Sequence, residues 1–138
     1  MDAPQLSKQK KNRKPSLLYE ELTGVIRQNA FDVHRYFGSG FLEKVYENAL
    51  ANRLQKQGIQ VQTQVALSVH DEDGTIVGHY ISDLLIDDRV LVEVKATKTL
   101  TSDHQAQIMN YLKATDTSVG LLINFGSRRI QIKRFIRQ

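Results

Sequence analysis

The chain has 138 residues, 41% of them hydrophobic, which is enough for one packed core and too many for a disordered polymer. Cysteine is absent, which excludes disulfide scaffolds, thiolate zinc sites, iron–sulfur clusters and cysteine nucleophiles. No apolar run reaches the length of about 18 residues that spans a bilayer. No apolar leader stands near the start. The expectation is therefore one cytoplasmic domain that does not engage a membrane.

The net charge of +4 comes from the first residues, where Lys8, Lys10, Lys11, Arg13 and Lys14 face a single acid, Asp2. The rest of the chain carries acids and bases in equal number, but segregated. Asp71, Glu72, Asp73, Asp83, Asp87, Asp88 and Glu93 crowd the middle against Arg89 alone. Arg128, Arg129, Lys133, Arg134 and Arg137 crowd the end with no acid among them. An acidic centre beside basic edges suits a protein that holds a cation and a polyanion together; an ordinary mixed surface is the plain alternative.

Residues 1–15 are polar and basic, contain Pro4 and Pro15, and read as a disordered arm; residues 16–138 read as the folded domain. Ser16 is a plausible N-cap for a helix whose stripe is Leu18, Leu22, Val25, Ile26, Val33 and Phe37. Gly38-Ser39-Gly40 breaks it. A second helix runs from about Leu42 to Gln57 on the stripe Leu42, Val45, Tyr46, Ala49, Leu50 and Leu54, and Gly58 ends it. The period then falls to 2, with Val61, Val65, Leu67 and Val69 alternating against polar residues in a half-buried strand.

Asp71-Glu72-Asp73-Gly74 is a turn; it lacks the spacing and the twelfth-position glutamate of a calcium loop. Thr75 to Ile86 and Val90 to Lys95 read as the next two strands. A third helix spans about Ser102 to Ala114, with Ser102 and Gln105 in capping-box spacing. Val119 to Phe125 is a continuous apolar strand, and Ile130, Ile132 and Ile136 mark the last one. The order is ααβββαββ. There is no phosphate-binding loop and no dinucleotide fingerprint.

The chemistry gathers in the acidic centre. In Val90–Lys95, residues 90, 92 and 94 share one face while Leu91, Glu93 and Lys95 share the other. Asp83 stands mid-strand, where aspartate is unfavourable. If Asp87-Asp88-Arg89 form the connecting loop, residue 86 pairs with 90 and Asp83 lies beside Glu93. A two-residue loop would put the acids on opposite faces. Like charges side by side need a counter-charge, and all-oxygen ligation suits magnesium or manganese. Lys95, two residues past Glu93, can stabilise charge on a phosphate or help deprotonate a water. Its plain reading is a cross-strand ion pair with one of the acids.

Glu43 falls at the edge of the second helix's apolar stripe and Glu47 further out; the plain reading of such a boundary glutamate is a bond to a backbone amide or a lysine. His104, Gln107 and Tyr111 share a flank of the third helix. Gln107 can position a water or a phosphate. Lys98, His104 and Tyr111 are candidate substrate contacts, though the plainer reading of Tyr111 is a core residue.

These residues resemble a known family. Gly40-Phe41-Leu42-Glu43-Lys44-Val45-Tyr46 fits the GxxExxY signature of a family within the PD-(D/E)XK nuclease superfamily. Asp83 followed by Glu93-Val94-Lys95 fits that superfamily's catalytic pattern, with Ser82-Asp83 in place of the usual proline-aspartate. Residues 104–113 resemble its QxxxY-bearing helix, and residues 119–126 and 132–134 its closing strands. The resemblance implies a restriction-endonuclease-like core, a mixed β-sheet flanked by helices. It implies magnesium or manganese held by Glu43, Asp83 and Glu93, catalysis assisted by Lys95 and Gln107, and hydrolysis of phosphodiester bonds, in DNA first of all. A module that keeps the fold and binds nucleic acid or a partner without turnover is the alternative. The small domain leaves little room for a separate DNA-reading element, which points to a homodimer or a larger complex. The basic arm reads as a DNA grip, an import signal or a solubilising tail.

Overall fold

The computed structural model describes residues 19–137; the expected arm over residues 1–15, the Ser16 cap and Leu18 lie outside the described residues. The elements are α1 (Glu20–Phe37), α2 (Glu43–Lys56), β1 (Val61–His70), β2 (Ile76–Ile86), β3 (Val90–Lys95), α3 (Ser102–Thr115), β4 (Val119–Asn124) and β5 (Gln131–Ile136). The expected order ααβββαββ is the observed one. The strands form one sheet in the order β1-β2-β3-β4-β5. Only β3 and β4 run parallel, because α3 carries the chain back between them. No helix among the described residues is long and apolar enough to cross a membrane.

Alternation decides the layers. Val90, Val92 and Val94 of β3 and Val119, Leu121 and Ile123 of β4 join Ile26, Ala30 and Val33 of α1 and Tyr46, Leu50 and Leu54 of α2 in one cluster. On β4 the opposite face carries Gly120, where an added Cβ would sit 3.1 Å from Ile108 and Leu112 of α3. A glycine there lets α3 lie close to the sheet. Strand β4 is buried along its whole length, which explains its unbroken apolar run.

Among the described residues three members of the expected helix stripes, Val25, Leu42 and Val45, are outside the core. Val25 is 36% exposed, and Leu42 is 82% exposed. Leu42 is the extended N-cap of α2 and is not on the helix at all. With Leu42 removed, the buried face of α2 is Tyr46, Glu47, Leu50, Ala51 and Leu54.

Candidate active site

The turn between β2 and β3 is the three-residue one. Asp87 and Asp88 adopt left-handed φ values of 53° and 54°, and the Arg89 N–H closes on the Ile86 carbonyl at 3.0 Å. Ile86 therefore pairs with Val90, Leu85 with Leu91 and Leu84 with Val92. The next rung would be Asp83 with Glu93, and there backbone pairing stops. Side chains take over instead. The Asp83 N–H donates to Glu93 Oε2 at 3.2 Å, and the Val94 N–H donates to Asp83 Oδ2 at 2.8 Å. The Ser82 hydroxyl adds a bond to Glu93 Oε2 at 3.1 Å. The two acids are neighbours, as the loop length requires.

The ladder on the other side of β2 is interrupted at the same level. Thr63 pairs with Leu84 and Val65 with Ser82, while Gln64, opposite Asp83, is skipped. Gln64 has φ of 52°, a left-handed conformation that costs a non-glycine residue about 1–2 kcal/mol. Asp83 thus belongs to neither ladder, and the sheet is open around it.

Helix α2 approaches this opening in an orientation fixed by Tyr46. Its ring stacks on Phe125 with centroids 4.7 Å apart and planes 7° from parallel. Its hydroxyl donates to the Gly38 carbonyl at 2.6 Å and accepts the Phe41 N–H at 3.0 Å. The chain between α1 and α2 is thereby tied to the core. One turn beyond the exposed Glu43, Glu47 is only 3% exposed. Gln64 Nε2 donates to both Glu47 oxygens, at 3.0 and 2.9 Å, and Lys44 pairs with Oε2 at 3.1 Å. Glu43, Lys44, Glu47, Gln64, Asp83 and Ala96, with Phe41 and Leu42, line a cleft of about 490 Å³.

The electrostatics follow from crowding. Burial raises the Asp83 pKa above the ordinary carboxylate value, and the carboxylates of Glu47 and Glu43 raise it further; the Val94 N–H and Lys95 oppose this. Burial and then the Asp83 carboxylate push Glu93 up to about 7, against bonds from the Asp83 N–H and Ser82 that favour its anion. Tyr80 stacks on Tyr111. Its buried hydroxyl interacts with Glu93 but makes no hydrogen bond of ordinary geometry among the described residues. Burial, then the nearby Glu93, raises both phenols; the Gln107 side chain pulls Tyr111 the other way.

The residues singled out from the sequence separate into groups. Asp83 and Glu93 adjoin, and Lys95 is close enough for its charge to act on Asp83. Among the described residues Lys95 forms no ion pair with either acid, so the plain cross-strand pairing is not what it makes. Glu43 stands at the cleft wall. Among the described residues no three acid or histidine side chains converge closely enough to surround a cation, so neither Glu43 nor Glu47 is drawn in as a third ligand beside Asp83 and Glu93. Gln107 reaches Glu93 only through Tyr111. Lys98 is exposed on the segment between β3 and α3. His104 sits in a helix cap: its N–H donates to Thr101 Oγ1 at 3.3 Å, and its Nδ1 accepts the Thr101 N–H at 3.2 Å. The capping box is thus Thr101 with His104 in place of Ser102 with Gln105. The extended Thr101 leads the chain into the helix one residue earlier than the spacing suggested.

Glu47, Gln64 and Asn124 were not legible as site residues. Glu47, read as outside the stripe, is buried in it, because Val45 and Ala49 are only half-buried and the buried face turns toward Ala51. Its spacing to Leu50, Ala51 and Leu54 is the signal that finds it. Asn124 is fully buried. Its amide accepts the Thr97 N–H at 2.9 Å and donates to the Thr97 carbonyl at 3.0 Å and Gln131 Oε1 at 2.9 Å. It anchors the segment that leaves β3 directly after Lys95.

Comparison with known proteins places this arrangement. No curated protein matches the sequence. A solved structure titled as that of SSO0001 matches at a TM-score of 0.53 and 18% identity, covering 68% of this chain and 49% of that one. A second, an alkaline exonuclease (LHK-Exo) from Laribacter hongkongensis, matches at 0.43 and 14% identity, covering 69% of this chain and 56% of that one. The chain thus spans about half the length of these solved relatives. The family model of the PD-(D/E)XK nuclease superfamily matches residues 20–135, which takes in every strand except the last residue of β5 and all of the site. The mixed sheet, its element order and the acids beside Lys95 agree with that match, and the chain belongs to the PD-(D/E)XK nuclease superfamily.

Proposed function

We propose that the protein is a divalent-metal-dependent nuclease that hydrolyses phosphodiester bonds in DNA at the opening between β2 and β3. The observation that carries this reading is the meeting of Asp83 and Glu93 where both flanking ladders are interrupted. Two crowded carboxylates, both held above the ordinary carboxylate value by burial and with Glu93 raised further by Asp83, call for a cation. The donors fit a hard one: they are oxygens, and among the described residues Asp83 hydrogen-bonds through Oδ2 alone. Asp83 and Glu93 would hold the ion directly, with Glu47 and Glu43 in the cleft beside Asp83. Bound there, magnesium or manganese supplies the Lewis acidity that polarises a phosphodiester and acidifies a water.

The chain's own groups do the rest. Lys95 brings a positive charge beside Asp83 and makes no ion pair among the described residues, so it is available to a phosphate. Tyr111, near Glu93, and Gln107 beside it can orient a phosphate or water. His104 uses Nδ1 in the helix cap, which leaves Nε2–H as a donor for substrate. Lys98 offers a further phosphate contact. The Gly40–Tyr46 signature supports placing the chain in the GxxExxY family within the superfamily.

That no third acid converges on the pair among the described residues favours the alternative, a silent binding module. One assay separates the two. Labelled single-stranded, duplex and branched DNA, and RNA, are incubated with the protein in magnesium, manganese or chelator. Metal-dependent cleavage of DNA is expected. Binding without cleavage under every condition supports the silent module instead.

A further inference from the structure

Gln64 stands out because three independent features meet on it. It is an ordinary side chain held at φ of 52° inside a strand. It lies opposite Asp83 at the rung missing from the β1–β2 ladder. Its amide donates to both oxygens of Glu47, a carboxylate that is 3% exposed and acts on Asp83 across the cleft. A residue in regular extended pairing alternates its side chain to one face or the other of the sheet. The left-handed backbone releases Gln64 from that alternation, and the released side chain reaches α2. Backbone conformations of this kind persist where the surroundings impose them, and they concentrate at functional sites.

We propose that Gln64 is a positioning residue: its amide fixes the Glu47 carboxylate in the cleft it shares with Asp83, so that α2 contributes its charge to the cation site without ligating the ion. This deepens the nuclease reading and rests on it for the identity of the ion. Lys44 alone would be a poor substitute. It is a flexible exposed chain bonded to one oxygen only, whereas the Gln64 amide spans both. Glu47 could then turn toward solvent along the cleft. Residues that orient a metal-facing carboxylate typically change metal affinity by 10–100-fold when removed.

The test is a double-mutant cycle on the full chain without nucleic acid, with manganese affinity read by titration calorimetry and folding read by thermal melting. Gln64→Ala and Glu47→Gln are each expected to weaken manganese binding about tenfold or more. The double variant is expected to be no weaker than Glu47→Gln alone, because the amide acts through that carboxylate. Gln64→Asn guards against a folding artefact. Asparagine tolerates the left-handed backbone but is one methylene too short, so it should melt like wild type and bind manganese as weakly as Gln64→Ala. Wild-type manganese affinity in Gln64→Ala and Gln64→Asn overturns the assignment. So does full additivity in the cycle. If the wild type binds manganese with the expected coupling yet cleaves no nucleic acid, the nuclease reading fails and the Gln64 assignment stands. If the wild type binds no manganese, both fall together.

Discussion

The Asp83 amide donates to the Glu93 carboxylate at 3.2 Å at the point where the β2–β3 ladder would otherwise continue. The bond favours the Glu93 anion, yet burial and the Asp83 charge outweigh it and push Glu93 up to about 7. Linkage then has a definite sign. The native state keeps a proton that the unfolded chain gives up near the ordinary glutamate value. Metal-free stability should be full below about pH 4.5, fall as the pH rises and level off above about 7, by on the order of 3 kcal/mol in total. Glu93→Gln should flatten this slope and raise the neutral-pH melting temperature by several degrees. Melting in chelator across pH checks it; a wild type that gains stability over the same window contradicts it.

The tyrosine of the sequence signature acts as a brace. Tyr46→Phe keeps the stack on Phe125 but removes the hydroxyl that joins Gly38 and Phe41. A loss of about 1–2 kcal/mol is expected. Tyr46→Ala also empties the fully buried ring site and should cost about 3–5 kcal/mol. Manganese affinity in folded Tyr46→Phe should stay within a few-fold of wild type. A complete loss of binding in that variant would make the hydroxyl part of the site itself.

Gly126 closes the structure behind Lys95. A Cβ there would lie 2.4 Å from the Ala96 carbonyl carbon and the Thr97 nitrogen. Those are backbone atoms that cannot swing away. Gly126→Ala should therefore destabilise by at least about 2 kcal/mol. Gly24 is the control: it lies within α1 with nothing within 4 Å of an added Cβ. Gly24→Ala should stabilise by about 0.5–1 kcal/mol. Denaturant melts of the two variants should shift in opposite directions.

Glu43 and Glu47 compete for the place of the acid contributed by α2. The burial of Glu47 and its stronger effect on Asp83 favour it. Glu47→Gln should lower manganese affinity by about tenfold or more, and Glu43→Gln by less. The reverse order, measured by calorimetry, would return the role to Glu43.

Much of the fold was legible because its signals are local. The change of period from 3.6 to 2 after Gly58 and the unbroken run at Val119 each have one physical meaning. The Asp83–Glu93 pairing was also legible, since a three-residue loop fixes register by counting. Glu47 was misplaced because Val45 and Ala49 look like stripe residues, yet the helix leaves them half-exposed and buries Ala51 instead. Gln64 had no signal at all. Its role depends on a backbone conformation that nothing in Gln62-Thr63-Gln64-Val65 encodes, and on a partner 17 residues away. The His104 cap shifted because a threonine one position earlier could perform the same chemistry as Ser102.

The most direct measurement is single-turnover cleavage of labelled DNA in magnesium and in manganese by wild type, Asp83→Asn and Lys95→Ala, each first shown to be folded by its melt. Wild type should cut in either metal and not in chelator. Asp83→Asn should lose cleavage and manganese binding together. Lys95→Ala should bind DNA nearly as well as wild type while its cleavage rate falls by at least about a hundredfold, because its charge matters most as negative charge builds on the phosphate. Cleavage at the wild-type rate by folded Asp83→Asn would contradict the central claim that the Asp83–Glu93 opening is the catalytic site.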